Sequence, residues 1–252
     1  MIKIKTTEDV RKMQKAGSIV ADVLCMIEEY IKPGLSTWDL DQAAEKLIRK
    51  SGAVPSFKGY GNPPFPGSVC ASIDHEVVHG IPSKNRIIEE GMLVSIDVGA
   101  YIDGFHGDAA RTFAVGQVSQ DKLNLLRVTE ECFWKGLELA RPGNRLGDLS
   151  AAVQKHAEDH GYGVVRELTG HGIGRDLHED PDLPNYGRAG HGIRLEAGMV
   201  LAMEPMINLG TRRIALEADG WTIVTADGKP SSHYENTFAI TEDGPLILTK
   251  RD

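Results

Sequence analysis

A chain of 252 residues with 41% hydrophobic and 25% charged residues has a globular make-up, which excludes a disordered tail, a collagen and a small disulfide scaffold. Lys and Arg number 28 against 36 Asp and Glu, a formal charge of −8. That balance excludes a general nucleic-acid or anionic-membrane binder, which needs a basic field. Cys25, Cys70 and Cys132 lie far apart with no CxxC pair and read as reduced thiols. The opening MIKIKTTEDVRKMQKAG has no apolar core of a leader, and no run approaches the roughly 18 apolar residues of a membrane span. A cytoplasmic enzyme is the expectation.

In chain order, apolar residues recur at helical spacing from about Thr7 to Ile31, opened by Thr6 or Thr7 and stopped by Lys32-Pro33-Gly34. A second helix is predicted from Ser36 or Thr37 to Lys50, ending at Gly52. The run GYGNPPFPG (59–67) is too rich in Pro and Gly for regular structure. Strand-type runs follow at Ser68–Ile73, Met92–Ala100 and Arg111–Val115. Helical periodicity returns from about Asp121 to Ala140, stops at Arg141-Pro142-Gly143 and resumes to about His160. The last third is strand-like around Val164–Leu168, Val200–Ile207, Trp221–Thr225 and Thr237–Thr241.

The chain repeats itself. Shifted by 109 residues, KPGLSTWDLDQAAEKLIRKSG (32–52) lies without gaps on RPGNRLGDLSAAVQKHAEDHG (141–161), with seven identities in 21 positions. At an offset of 107, GMLVSID (91–97) lies on GMVLAME (198–204), which sets Asp97 on Glu204. Further on, Asp103-Gly104-Phe105 answers Asp219-Gly220-Trp221, and HGD (106–108) answers HYE (233–235), so Asp108 corresponds to Glu235. Units this long are no solenoid. They predict one domain of two α/β halves, about 7–116 and 121–248, facing each other across a pseudo-two-fold axis.

Asp97 in LVSIDVGAY and Asp108 eleven residues on, with an Asp-Gly between them, suit the two arms of a hairpin. Glu204 in LAMEPMI and Glu235 in HYENTFAI have the same character. A lone acid of this kind is most often a turn residue or an ion-pair partner. Four in apolar strand settings repel unless cationic charge holds them together. His171 stands between glycines in GHGIGRDLHEDP, and His178 follows seven residues later, a spacing that places both on loop or strand rather than one helical turn. His79 has the same His-Gly-Ile pattern. His106 and His233 neighbour the acids as candidate supporting groups. His156 and His160 read as helix-face residues, and His191 lacks an acidic partner. An oxygen-rich set with one imidazole suits Mn, Fe(II), Co or Zn, and this many acids predict two divalent ions.

Residues 68–116 and 164–240 resemble a type I methionine aminopeptidase, on the motifs SVCASIDHEVVHGIP, SIDVGAYIDGFHGDAARTF, ELTGHGIGRDLHEDP, LAMEPMI and HYENTF in that family's order. The resemblance implies the α/β pita-bread fold, a curved and mainly antiparallel sheet covered by helices. It implies Asp97, Asp108, His171, Glu204 and Glu235 as metal ligands, with Asp108 and Glu235 bridging. It further implies removal of the initiator methionine from nascent polypeptides. Glu204 would relay the nucleophile's proton, and His178 and His79 would contact substrate. Phe65, Cys70, Leu177 and Trp221 would form the methionine pocket. Many bacterial relatives have Phe at the position of Leu177 and Tyr at that of Asn62, differences that bear on pocket shape.

A proline-directed aminopeptidase or prolidase of the same fold usually carries an extra N-terminal domain, for which a first helix at about Thr7 leaves no room. Type II methionine aminopeptidases carry an insertion in the second half that is absent here. An inactive pita-bread binding module loses ligands that this chain keeps, and a two-metal phosphoesterase needs a phosphate cradle that the chain lacks. No coiled-coil pattern asks for a partner, so a monomer is expected, with any ribosome contact made through a local basic patch.

Overall fold

The computed structural model describes residues 2–250. Helix α1 spans Thr7–Tyr30 and opens on a capping box, in which the Thr6 hydroxyl accepts from Asp9 N–H and Asp9 Oδ2 accepts from Thr6 N–H. Met13, Ala16, Val20, Val23 and Ile27 are fully buried, a three-four-three-four stripe that seats the helix on a sheet. Helix α2 (Thr37–Lys50) follows, then strands β1 (Val54–Pro55), β2 (Val69–Ile73), β3 (Glu76–Val78), β4 (Leu93–Ile102) and β5 (Phe105–Ala114). Next come α3 (Gln120–Leu137), α4 (Leu146–Asp159), β6 (Gly163–Val164), β7 (Thr169–Gly172) and β8 (Glu179–Pro184). The chain continues through β9 (Val200–Met203), β10 (Met206–Asn208), β11 (Ile214–Leu216) and β12 (Ile223–Thr225). It ends with β13 (Ser231–His233), β14 (Asn236–Thr241) and β15 (Gly244–Ile247).

The described strand pairings are antiparallel. One sheet has the order β1-β4-β2 with β5 on β4, and another the order β15-β14-β9-β7-β8. Hairpin β4–β5 turns on Asp103-Gly104, with φ of +53° and +85°, the left-handed pair that a two-residue hairpin of this twist requires. Helix α1 crosses β5 so closely that a Cβ on Gly107 would stand 2.8 Å from Gly17 N. α1, α2 and the outer face of β4, through Val94, Ile96 and Val98, form one core. A second core packs α3 and α4 through Leu125, Phe133, Leu149 and Val153 against Leu201 and Phe238.

Corresponding segments of the two halves make the same hydrogen bonds. Gly34 N–H donates to Ile88 O at 2.9 Å, and Gly143 N–H to Leu195 O at 3.0 Å. Thr37 N–H donates to Arg86 O, and Leu146 N–H to Ile193 O, both at 2.9 Å. Asp39 accepts from Ser36 N–H at 2.8 Å, and Asp148 from Arg145 N–H at 2.7 Å, which explains why these aspartates coincide in the repeat. Gly34 and Gly143 share a left-handed φ, +92° and +93°.

Four expected strands differ; the run expected at Arg111–Val115 starts six residues earlier, so that β5 spans Phe105–Ala114. Val200–Ile207 is broken at Glu204-Pro205 into β9 and β10, which join different sheets, because proline offers no N–H to a ladder. Val164–Leu168 keeps only its first residue in β6, and Trp221–Thr225 begins at Ile223, after an Asp219 side chain that accepts from Trp221 and Thr222 N–H and holds a turn.

Candidate metal centre

Strand alternation brings the acids together. Asp97 pairs with Ala110, and Gly99 with Asp108, so the two aspartates share a face as diagonal neighbours. That face is opposite Ile96 and Val98, which point into the α1 core. In the other half Asn236 pairs with Met203, which leaves Glu204 and Glu235 at the next step along the ladder. The halves join where Glu235 N–H donates to Ala110 O at 3.0 Å and Asp108 N–H to Thr237 Oγ1 at 3.1 Å. His171 enters from β7, opposite Ala202 of β9.

The result is one cluster. His171 Nε2 lies 4.0 Å from Asp108 Oδ2 and 3.8 Å from Glu204 Oε1. Donor atoms of Asp108, His171 and Glu235 all fall within 4.8 Å of one another. His233, buried at 1% exposure, has Nε2 3.7 Å from Glu204 Oε2 and 3.9 Å from Glu235 Oε2. His171 Nδ1 is 2.9 Å from Gly172 O. A carbonyl only accepts, so the proton sits on Nδ1 and Nε2 presents a lone pair to the acids.

Burial pushes the Asp97 carboxyl up to about 7. Burial, and then the neighbouring acids, push Asp108, Glu204 and Glu235 well above the usual carboxylate range. Burial lowers His171 and His233 to about 3, which keeps both imidazoles neutral. Asp97 Oδ1, Asp108 Oδ1, Glu235 Oε1 and His233 Nε2 are buried without a hydrogen-bond partner. Crowded acids, a neutral imidazole and unanswered oxygens fit divalent metal: cationic charge restores the ionised carboxylates and satisfies the open atoms.

The cluster forms the floor of a cavity of about 130 Å³. Phe65, Cys70, His79, Leu177, His178 and Trp221 line it with the five candidate ligands, so the eleven residues expected as ligands, substrate contacts or pocket walls meet here. Phe65 and Trp221 pack edge to face at 5.2 Å. His79 stands after β3 with φ of +61°, a left-handed conformation rare for a non-glycine residue, and its ring meets Trp221 at 6.1 Å. Burial lowers His79 to about 4.

Several groups escaped the sequence reading. Phe57 and Tyr60 also line the cavity, and the Tyr60 hydroxyl lies 2.6 Å from His178 Nδ1. Behind Glu235, Arg111 donates to Glu235 O at 2.5 Å and to Asn236 Oδ1 at 2.8 Å, with its guanidinium 4.0 Å over the Tyr234 ring. A charged residue amid a strand run was the available signal for Arg111, the same signal that marked Asp97. Asn185, fully buried, donates to Glu204 O at 2.9 Å; its loop carries no periodicity that could have pointed to it. Of the two neighbouring histidines, His233 faces the acids. His106 instead bonds Ser56 Oγ at 2.9 Å.

A family model, Metallopeptidase family M24, matches residues 11–242. The chain is 53% identical over 249 residues to the methionine aminopeptidase of Clostridium acetobutylicum, covering 99% of both chains. It is 51% identical over 250 residues to methionine aminopeptidase 1 of Bacillus subtilis, covering 99% of this chain and 100% of that protein. The crystal structure of a methionine aminopeptidase from Thermotoga maritima superposes with a TM-score of 0.97 at 45% identity, covering 100% of both chains. A prolidase from Pyrococcus furiosus superposes at 0.80 with 26% identity, but this chain covers 66% of that longer one. These neighbours share the pita-bread fold.

Proposed function

From the premise that this chain belongs to metallopeptidase family M24, we propose that it removes the N-terminal methionine from polypeptides at the cavity above the acid cluster. One observation carries the reading. The buried acids and neutral imidazole that suit divalent metal open directly onto a small pocket of aromatic, sulfur and aliphatic side chains, the surroundings a thioether prefers. Over the full length of the chain, similarity to methionine aminopeptidases supports methionine as the residue removed.

We assign Asp97, Asp108, His171, Glu204 and Glu235 as the residues that would hold two divalent ions, drawn from Fe(II), Mn, Co or Zn, with Asp108 and Glu235 the residues that both ions would share. Bound there, such ions supply Lewis acidity, polarising the peptide carbonyl and making a water more acidic. The chain's own groups do the rest. Phe65, Cys70, Leu177 and Trp221 hold the methionine side chain, and selectivity for a free amine follows if the acids and the ions they would hold occupy the place an upstream residue needs. Glu204 takes the proton from the attacking water and passes it toward the leaving nitrogen. In this reading the Tyr60 hydroxyl, 2.6 Å from His178 Nδ1, donates to that nitrogen and leaves the His178 proton on Nε2, to be donated to the carbonyl oxygen as that oxygen gains negative charge. His79 hydrogen-bonds near the scissile nitrogen.

We read the two halves as one catalytic domain, supported by the hydrogen bonds that join them at Ala110–Glu235 and Asp108–Thr237. The substrate is the free N-terminus of a newly made polypeptide, met at the ribosome in the cytoplasm by a monomer. The unpaired thiols of Cys25, Cys70 and Cys132 support a reducing compartment. No helix among the described residues is long and apolar enough to cross a membrane. Hydrolysis of Met-Ala-Ser and of Xaa-Pro peptides, assayed side by side across metals, tests the reading. Release of methionine from Met-Ala-Ser with no cleavage of Xaa-Pro is expected. Preference for Xaa-Pro would reassign the enzyme to proline-directed cleavage.

A further inference from the structure

Helices α3 and α4 pack against each other on the far side of the second core. On their outer edge, His156 stands in the last turn of α4 and His160 is the residue that caps that turn, with ring centroids 4.7 Å apart. Glu131 of α3 faces them, its Oε2 2.8 Å from His156 Nε2. We propose that Glu131, His156 and His160 form a second divalent-metal site, separate from the acid cluster, which takes a zinc-class ion and pins α3 to α4.

Three features prepare the donors. One ligand atom from each of the three residues falls within 4.8 Å of the other two, a spacing that small side-chain rotations close to the distances of a zinc coordination shell. Arg127 donates to Glu131 Oε1 at 2.6 Å, which holds the carboxylate so that Oε2 is turned to the imidazole. The His160 Nδ1 lies 2.8 Å from the His156 carbonyl and must carry the proton, so Nε2 keeps its lone pair. An imidazole with its other nitrogen tied to a carbonyl is the usual state of a metal-bound histidine. Two imidazoles and one carboxylate make a donor set that favours zinc, nickel or copper over magnesium or calcium. Three protein donors leave a position for water, as solvent access to this edge allows: His160 is exposed, and Glu131 and His156 are partly so.

The site is tested by equilibrium dialysis against graded free Zn(II), with elemental analysis of the full chain and of His160→Ala, an exposed position whose replacement leaves the core untouched. The wild-type chain should hold one zinc ion more than His160→Ala, and zinc should shift the NMR resonances of both the His156 and His160 rings. Peptidase activity of His160→Ala with manganese should match wild type, since the residue lies outside the catalytic cavity. In Glu131→Gln the extra ion should bind at least tenfold more weakly. Equal zinc content in the wild type and His160→Ala, unmoved ring resonances, or unchanged affinity in Glu131→Gln would overturn the assignment.

Discussion

Asp108 has its backbone fixed from both sides: its N–H donates to Thr237 Oγ1, and the same hydroxyl donates back to its carbonyl at 2.8 Å. The main chain there is held independently of the side chain, so Asp108→Ala should fold and lose its metal. Elemental analysis after dialysis is the check, and unchanged ion content would remove the bridging role. His178 differs, because its neighbours are a tyrosine hydroxyl and the ring of His171, 4.2 Å away centroid to centroid. His178→Ala should lower kcat about 100- to 1,000-fold, the usual loss when an oxyanion donor is removed, with KM little changed and both ions retained. Loss of metal in that variant would show that His178 is a ligand. At this scale the acids and histidines were readable because each is out of character in its local run. Tyr60 was not: the 59–67 segment offers no period against which a tyrosine stands out, and its role depends on a partner 118 residues away.

Helix α2 is tied to the loop that carries Phe65 through Glu45, whose carboxylate accepts from Arg49 and Lys58 at 2.7 Å and from Ser68 Oγ at 2.9 Å. Burial pushes Glu45 up, but the bonds from Lys58, Arg49 and Ser68 outweigh it and hold the carboxyl at about 2. A folded-state value below the unfolded one gives stability that is full above the ordinary carboxylate range and is lost as pH falls toward about 2. Glu45→Gln should therefore cost about 1–2 kcal/mol at pH 7, discounted for the exposed Lys58 and Arg49. The gap to wild type should narrow between about pH 5 and pH 3, read as urea midpoints. A gap that widened on acidification would contradict the ion-pair account. Long elements were legible in the sequence, as the stripe on α1 and the Pro-Gly stops after α1 and α3 demonstrate. Strands of two to four residues such as β6, β7 and β11 are too short to express a period of two. Glu204-Pro205 carried its own warning in the proline, and that break puts Glu204 at the end of β9, beside the acids.

The duplicated motif marks where the molecule converges, because Asp97 with Glu204 and Asp108 with Glu235 occupy matching places in the repeat. What it could not supply was the join itself. The reciprocal backbone bonds of Ala110 and Glu235, and the partly buried Arg111 behind them, come from tertiary packing that no local pattern encodes. The same holds for Asn185, which steadies Glu204 from the loop after β8. The whole fold thus places four mutually repelling carboxylates together, an arrangement that divalent charge would stabilise in the ionised form. The direct test is peptidase activity on Met-Ala-Ser after exhaustive chelation and again after adding back manganese or cobalt. Activity should vanish with the metal and return with it; full activity at undetectable metal content would contradict the account.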